Sequence, residues 1–78
     1  FDQTKIQIQK NPFSDQLSIL GLGNQKSVIN IYTIDGKFIQ QFKSSSSDVE
    51  MNTQEWSKGI YIIHIEQKEG STILKAIK

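Results

Sequence analysis

Apolar residues along this chain recur with a period of two almost everywhere, and a helical period is absent. Ile6 and Ile8 alternate with Lys5, Gln7 and Gln9, and Leu17 and Ile19 alternate with Gln16 and Ser18. Alternation sends successive side chains to opposite faces of an extended backbone, so each run predicts a strand with one inward face. Val28 to Ile34 and Phe38 to Phe42 continue the pattern around Asp35-Gly36. That dipeptide predicts a tight hairpin, because both central residues of a type I′ turn need positive φ. Pairing Ile34 with Lys37, or Tyr32 with Lys37 across a longer loop, puts Ile29, Ile31, Phe38 and Phe42 on one face, the expected core side.

Ser44 to Ser47 then interrupt the alternation and read as an exposed loop. Val49 and Met51 suggest a short strand. The stretch EWSKGIY reads as a turn around Gly59 leading into Ile60 to Gln67, and Glu69-Gly70 returns the chain into a last strand, Ser71 to Ile77. Seven strand candidates, with turns at roughly 8–12-residue spacing, predict an all-β antiparallel sandwich of immunoglobulin-like form.

The closing hairpin is apolar on both faces. With a two-residue loop at Glu69-Gly70, Tyr61, Ile63 and Ile65 share a face with Leu74 and Ala76, and Ile60, Ile62, Ile73 and Ile77 occupy the other. A three-residue loop exchanges the final-strand residues between faces, but neither face becomes polar. One face can close a core. The other is open to a partner or a neighbouring domain.

Length and composition narrow the function classes. The 78 residues make one domain, residues 1–78, and no cysteine is present to form a disulfide or a thiolate metal site. No apolar run is long enough for a membrane-spanning helix, and any secretory leader is expected upstream. All nine cations are lysines, scattered among eight acids. Nucleic-acid binders concentrate charge and favour arginine for bidentate contacts, so a nucleic-acid partner is not expected.

Candidate chemistry is sparse. His64 is the single histidine and alternates with Ile62 and Glu66; without further ligands it reads as a half-exposed strand residue rather than a metal ligand. Gly21 and Gly23 in GLGNQK lack a third glycine and a following helix, so a turn is expected there instead of a dinucleotide cradle. Asp15 with Asp35, or Glu66 with Glu69, could be named as paired carboxylates, but acids at turns and strand ends are the ordinary explanation. Trp56 could stack on a sugar; beside a glycine turn, it reads more simply as a plug at the end of the sandwich. No enzyme activity, metal or cofactor is expected.

Four segments, in order, resemble the C-terminal sorting domain of the type IX (Por) secretion system of Bacteroidota. KNPFSDQLSI, with Asn11, Pro12 and Phe13, resembles the family's opening; VINIYTIDGKFI, with Gly36 and Lys37, its central hairpin; SKGIYIIHI, with Gly59 and Tyr61, its Gly-x-Tyr signature; and ILKAIK, with Leu74, Lys75, Ile77 and Lys78, its closing strand. Lys10 and Trp56 depart from the family pattern, which often has proline and leucine there. The resemblance implies a secretion signal that carries an attached, N-terminally fused cargo domain from the periplasm across the outer membrane. The cargo ends secreted or on the cell surface. The partners implied are an outer-membrane translocon, a shuttle and a sortase-like peptidase that removes the signal. The alternatives are an accessory carbohydrate-binding sandwich, presenting Trp56, Tyr32 and Tyr61, and an inert spacer.

Ordinary structural roles stand beside these motif roles. Pro12 fixes a turn, and Tyr61 belongs in the core with its hydroxyl at the rim. Lys75 and Lys78 are expected to face solvent or lie at the terminus, each costing no more than about 0.5 kcal/mol on truncation.

Overall fold

The computed structural model describes residues 6–9 and 12–78. Seven strands run in chain order: β1 (Gln7–Ile8), β2 (Gln16–Leu20), β3 (Ser27–Thr33), β4 (Phe38–Ser44), β5 (Val49–Asn52), β6 (Ile60–Gln67) and β7 (Gly70–Ile77). They form two antiparallel sheets, one ordered β1-β2-β5 and the other β4-β3-β6-β7. Each of the seven runs expected from alternation is a strand. No described helix is long and apolar enough to cross a membrane.

The core lies between the sheets. Leu17, Ile19 and Met51 from the smaller sheet meet Ile29, Ile31, Tyr61, Ile63, Ile65 and Ala76 from the larger one. The register Ile29↔Ile65 and Ile31↔Ile63 centres this packing. A one-residue slip of β6 against β3 would turn Ile63 and Ile65 outward. Burying one such side chain is worth about 1.5–3 kcal/mol, so that slip is strongly disfavoured.

The Asp35-Gly36 hairpin departs from expectation. Only Gly36 among the turn residues has positive φ, at 95°, so the turn is not type I′. The Gly36 N–H donates to the Thr33 carbonyl at 2.9 Å, and the Thr33 N–H donates to the Lys37 carbonyl at 2.8 Å. The loop therefore has three residues, Ile34 to Gly36, with glycine supplying the left-handed position. The Thr33 hydroxyl also donates to the Asp35 carboxylate and accepts from the Lys37 N–H. The hydroxyl's donation is the main cause holding the Asp35 pKa below the ordinary carboxylate value. Such a contribution is present above the unfolded-state pKa and fades as pH falls through the lowered folded-state one.

An odd-length loop changes parity. Tyr32 pairs with Phe38, whereas Ile31 pairs with Gln40, leaving Ile39 as a bulge that restores the register needed for Ile29↔Phe42. Ile29, Ile31 and Phe42 face the core as expected. Phe38 does not: it turns outward, packing against Tyr32 with ring centroids 5.7 Å apart. The final hairpin also turns one residue early. Gln67 pairs with Gly70 around Lys68-Glu69 rather than around Glu69-Gly70. Both loops have two residues, so the expected faces survive.

The serine run is more engaged than a plain exposed loop. Ser44 closes β4, its hydroxyl accepts from the Ser46 N–H, and the Ser47 carbonyl accepts from the Leu22 N–H at 2.8 Å. Ser45 and Ser46 form the exposed tip. Four residues inserted between them should cost under about 1 kcal/mol, because closure entropy grows logarithmically with loop length. Urea melts of the two chains check this, and a larger loss would give the tip a structural role.

Candidate functional site

The segments that carry the sequence motifs gather at one end of the larger sheet. There β3 ends, β6 begins and β7 ends, as Thr33↔Tyr61 and Ile60↔Ile77 show. The Ile34 N–H continues the ladder to the Ile60 carbonyl at 3.1 Å, so the Gly36-Lys37 turn sits at this end. The segment entering β2 reaches it as well, since the Phe13 N–H donates to the Ile77 carbonyl at 2.8 Å. Pro12 lies exposed immediately before it. Asn11 and Lys10 lie outside the described residues.

An aromatic triad fills the end. Trp56 meets Phe13 edge-on at 5.9 Å and Tyr61 at 5.0 Å, and Phe13 lies 6.1 Å from Tyr61. Phe13 and Tyr61 are buried, while Trp56 is half-buried against the core. The Tyr61 hydroxyl donates to the Ser57 carbonyl at 2.5 Å, fixing the turn that carries Trp56. Trp56 is thus the expected plug.

Lys78 holds the same turn from the other side. Its ammonium donates to the carbonyls of Thr53 at 2.5 Å, Trp56 at 2.7 Å and Gln54 at 3.3 Å. Its backbone closes the ladder with Gly59, donating at 2.9 Å and accepting at 3.2 Å. Lys78, expected to face solvent or lie idle at the terminus, is instead tied into the fold. It caps three carbonyls that no strand partner serves, through charge-assisted bonds stronger than neutral ones. Lys75 is exposed on the opposite face, paired with Ile62, and Leu74 is half-buried against the core.

Sequence reasoning missed three anchors. Thr53 is fully buried; its hydroxyl donates to the Ser14 carbonyl and its N–H to the Asp15 carbonyl, each at 2.8 Å. Leu22, between two glycines, is buried, and its carbonyl accepts from the Gln67 amide at 2.8 Å. GLGNQK is therefore a turn that delivers a core side chain. The third anchor is Lys78, whose signal was available, because it alternates with the inward-facing Leu74 and Ala76.

The other candidate residues stay apart. His64 is half-exposed on the outer face, with Nδ1 3.9 Å from Glu66 Oε2. No three His, Asp or Glu side chains gather into a metal-binding group among the described residues. Trp56 does border a cleft of about 350 Å³ with Gln40, Asn52, Gln54 and Glu55. Its ring also packs against Phe13 and Tyr61.

Two substitutions measure this end. Trp56→Ala should cost roughly 3 kcal/mol, the usual loss for a large core aromatic. Lys78→Ala should cost about 1.5–2 kcal/mol from the lost charged hydrogen bonds, against no more than about 0.5 kcal/mol for exposed Lys75→Ala. Denaturant melts check all three, and equal effects of the two lysines would contradict the capping role.

Comparison with known proteins follows the same lines. The profile of the family described as "Secretion system C-terminal sorting domain" matches residues 7–78. No curated protein sequence matches the chain significantly. Among solved structures, the chain is similar to part of PorZ from Porphyromonas gingivalis, described as an essential bacterial surface component of the type-IX secretion system. The TM-score is 0.77 at 18% identity, covering 92% of this chain and 11% of PorZ. At that identity the likeness shows a shared fold, over a small part of a much longer protein.

Proposed function

The chain belongs to the secretion system C-terminal sorting domain family, whose members are the secretion signal for type IX export, and from this premise we propose that its machinery reads the folded motif end rather than a linear tail. The family is a sorting signal and not a catalyst, and export by this route crosses the outer membrane. The chain serves as one unit, residues 1–78, behind an N-terminally fused cargo. It passes through the periplasm to the surface or medium. An outer-membrane translocon, a shuttle and a sortase-like peptidase are its partners, and the catalysis belongs to that peptidase.

The observation that carries this reading is convergence. Pro12-Phe13, Gly36-Lys37, Gly59, Tyr61, Ile77 and Lys78 come from distant parts of the chain, yet the strand register brings them to one end, while Leu74 pairs with Ile63 further along the sheet. Phe13, Tyr61 and Lys78 build that end. Pro12, Gly36, Lys37, Gly59 and Ile77 are exposed on it, so they are the positions left for direct contact, with Asn11 beside Pro12 in sequence. Lys75, on the outer face, is assigned no contact at this end.

Export of a periplasm-targeted reporter fused before Phe1, in a type IX-competent bacterium, tests the reading. A chain ending at Ser71 loses nearly all of β7 and should leave the reporter in the periplasm. Pro12→Ser with Lys37→Glu changes exposed positions, should cost within about 0.5 kcal/mol each, and should cut surface delivery at least tenfold. Surface delivery of the truncated chain would remove the sorting role from this hairpin. Normal delivery of the folded double variant would refute the reading of this end.

A further inference from the structure

Among the described residues, the two layers of the sandwich carry opposite charge. Residues 25–44 and 58–78, which form the larger sheet and its turns, hold seven lysines against three acids. Residues 12–24 and 45–57, which contribute β2, β5 and their connections, hold four acids and no lysine. A net charge of +1 for the whole chain conceals this separation.

Apolar exposure is just as one-sided. Among the described residues, the exposed large hydrophobics are Ile73 at 67%, Ile34 at 58%, Phe38 at 53%, Ile77 at 44% and Ile60 at 37%, all in the larger layer. Pairing places them together on its outer face: Phe38↔Tyr32↔Ile62 form one row, Ile60↔Ile77 another, and Ile73 lies opposite His64. Ile34 adjoins Ile60 through its backbone hydrogen bond. The three-residue hairpin loop is what brings Phe38 into this patch. At the other end of the face, Lys43 pairs with Val28, and Lys26 and Lys68 border a cleft of about 490 Å³ with Val28, Gln25, Gln67 and Glu66.

We propose that the outer face of the β4-β3-β6-β7 sheet docks on an anionic lipid surface, its isoleucines and Phe38 entering the interface while Lys26, Lys43 and Lys68 meet headgroup phosphates. A partner for this face must offer hydrocarbon and negative charge side by side, and an anionic bilayer does both. A second copy fits poorly. Two such faces would set lysines against lysines or against isoleucines, and the acidic layer has no large exposed apolar residue among the described residues to receive the isoleucines. The proposal goes beyond the sorting role, and its test changes residues outside the motif end's exposed contacts.

Co-sedimentation of the 78-residue chain with phosphatidylcholine vesicles, with and without phosphatidylglycerol, tests it. The chain should pellet with anionic vesicles, hardly with neutral ones, and less as salt screens the lysines. Lys26→Glu, Lys43→Glu and Lys68→Glu together should weaken binding at least about tenfold. Phe38→Ser with Ile73→Ser should weaken it at least about fivefold, with thermal melts confirming that both variants are folded. Absence of pelleting, equal pelleting on neutral vesicles, or binding unchanged in either folded variant would overturn the proposal. So would a concentration-dependent dimer that forms without vesicle binding and is lost in Phe38→Ser/Ile73→Ser, which would make the occupant a second copy. The export assay is independent, so failure here leaves the sorting reading standing.

Discussion

Pairing of β3 with β6 is the constraint on which the remaining geometry depends. Both strands lie inside the larger sheet, and their register runs unbroken from Ser27↔Gln67 to Thr33↔Tyr61. It places Ile29, Ile31, Ile63 and Ile65 together in the core, all fully buried. The same register commits the alternate residues of both strands, from Val28 to Tyr32 and from Ile60 to Glu66, to the outer face. Once the core claims the odd-numbered isoleucines, Ile60 and Ile62 have nowhere else to go. An apolar outer face is therefore a consequence of how this core is sequenced, and retaining it carries a solubility cost in any domain with no partner.

From that centre, structure propagates outward through polar closures rather than further apolar packing. β7 contributes only Ala76 as a fully buried core side chain, with Leu74 half-buried. Its end is held by the Gly59–Lys78 backbone pair, by the Phe13 N–H on Ile77, and by the Lys78 ammonium on three turn carbonyls. A domain this small buries only about 60% of its unfolded surface, so a few such bonds are a sizeable share of its net stability. Trp56 belongs to the same economy of size. One turn, clamped by Tyr61 and Lys78, seals the sandwich where no strand could.

Most of the architecture was legible in the sequence, because alternation is a strong signal when a sheet has one buried face. All seven strands follow from it, as does the inward set Tyr61, Ile63, Ile65, Leu74 and Ala76. Turn chemistry was less legible. Asp35-Gly36 suggested two residues of positive φ, but the Thr33 hydroxyl favours a different turn by bonding Asp35 and Lys37. One residue of loop length then decided on which side Phe38 emerges. At the motif end, the aromatic plug could be read from Trp56 beside a glycine turn. The lysine cap was less legible, since charged residues near strand ends are usually solvated, although the position of Lys78 in the alternation points inward.

Lys75 and Lys78 show why a sorting motif of this kind is hard to interpret from its letters alone. The two belong to one short stretch, ILKAIK, and carry the same charge, yet the pleat sends them to opposite faces. Lys78 exhausts its donors on the protein's own backbone and so contributes to shape. Lys75 stands among isoleucines on the open face and contributes to the surface. A pattern that retains both lysines can therefore be maintained by two different pressures, one on folding and one on what the outer face meets. The same division runs through the other segments: Phe13 and Tyr61 are internal, while Pro12 and Lys37 are external. A signal arranged this way exists only once the strands have paired. The unpaired chain presents the same letters at the same spacing, but not the end of the sheet on which they meet.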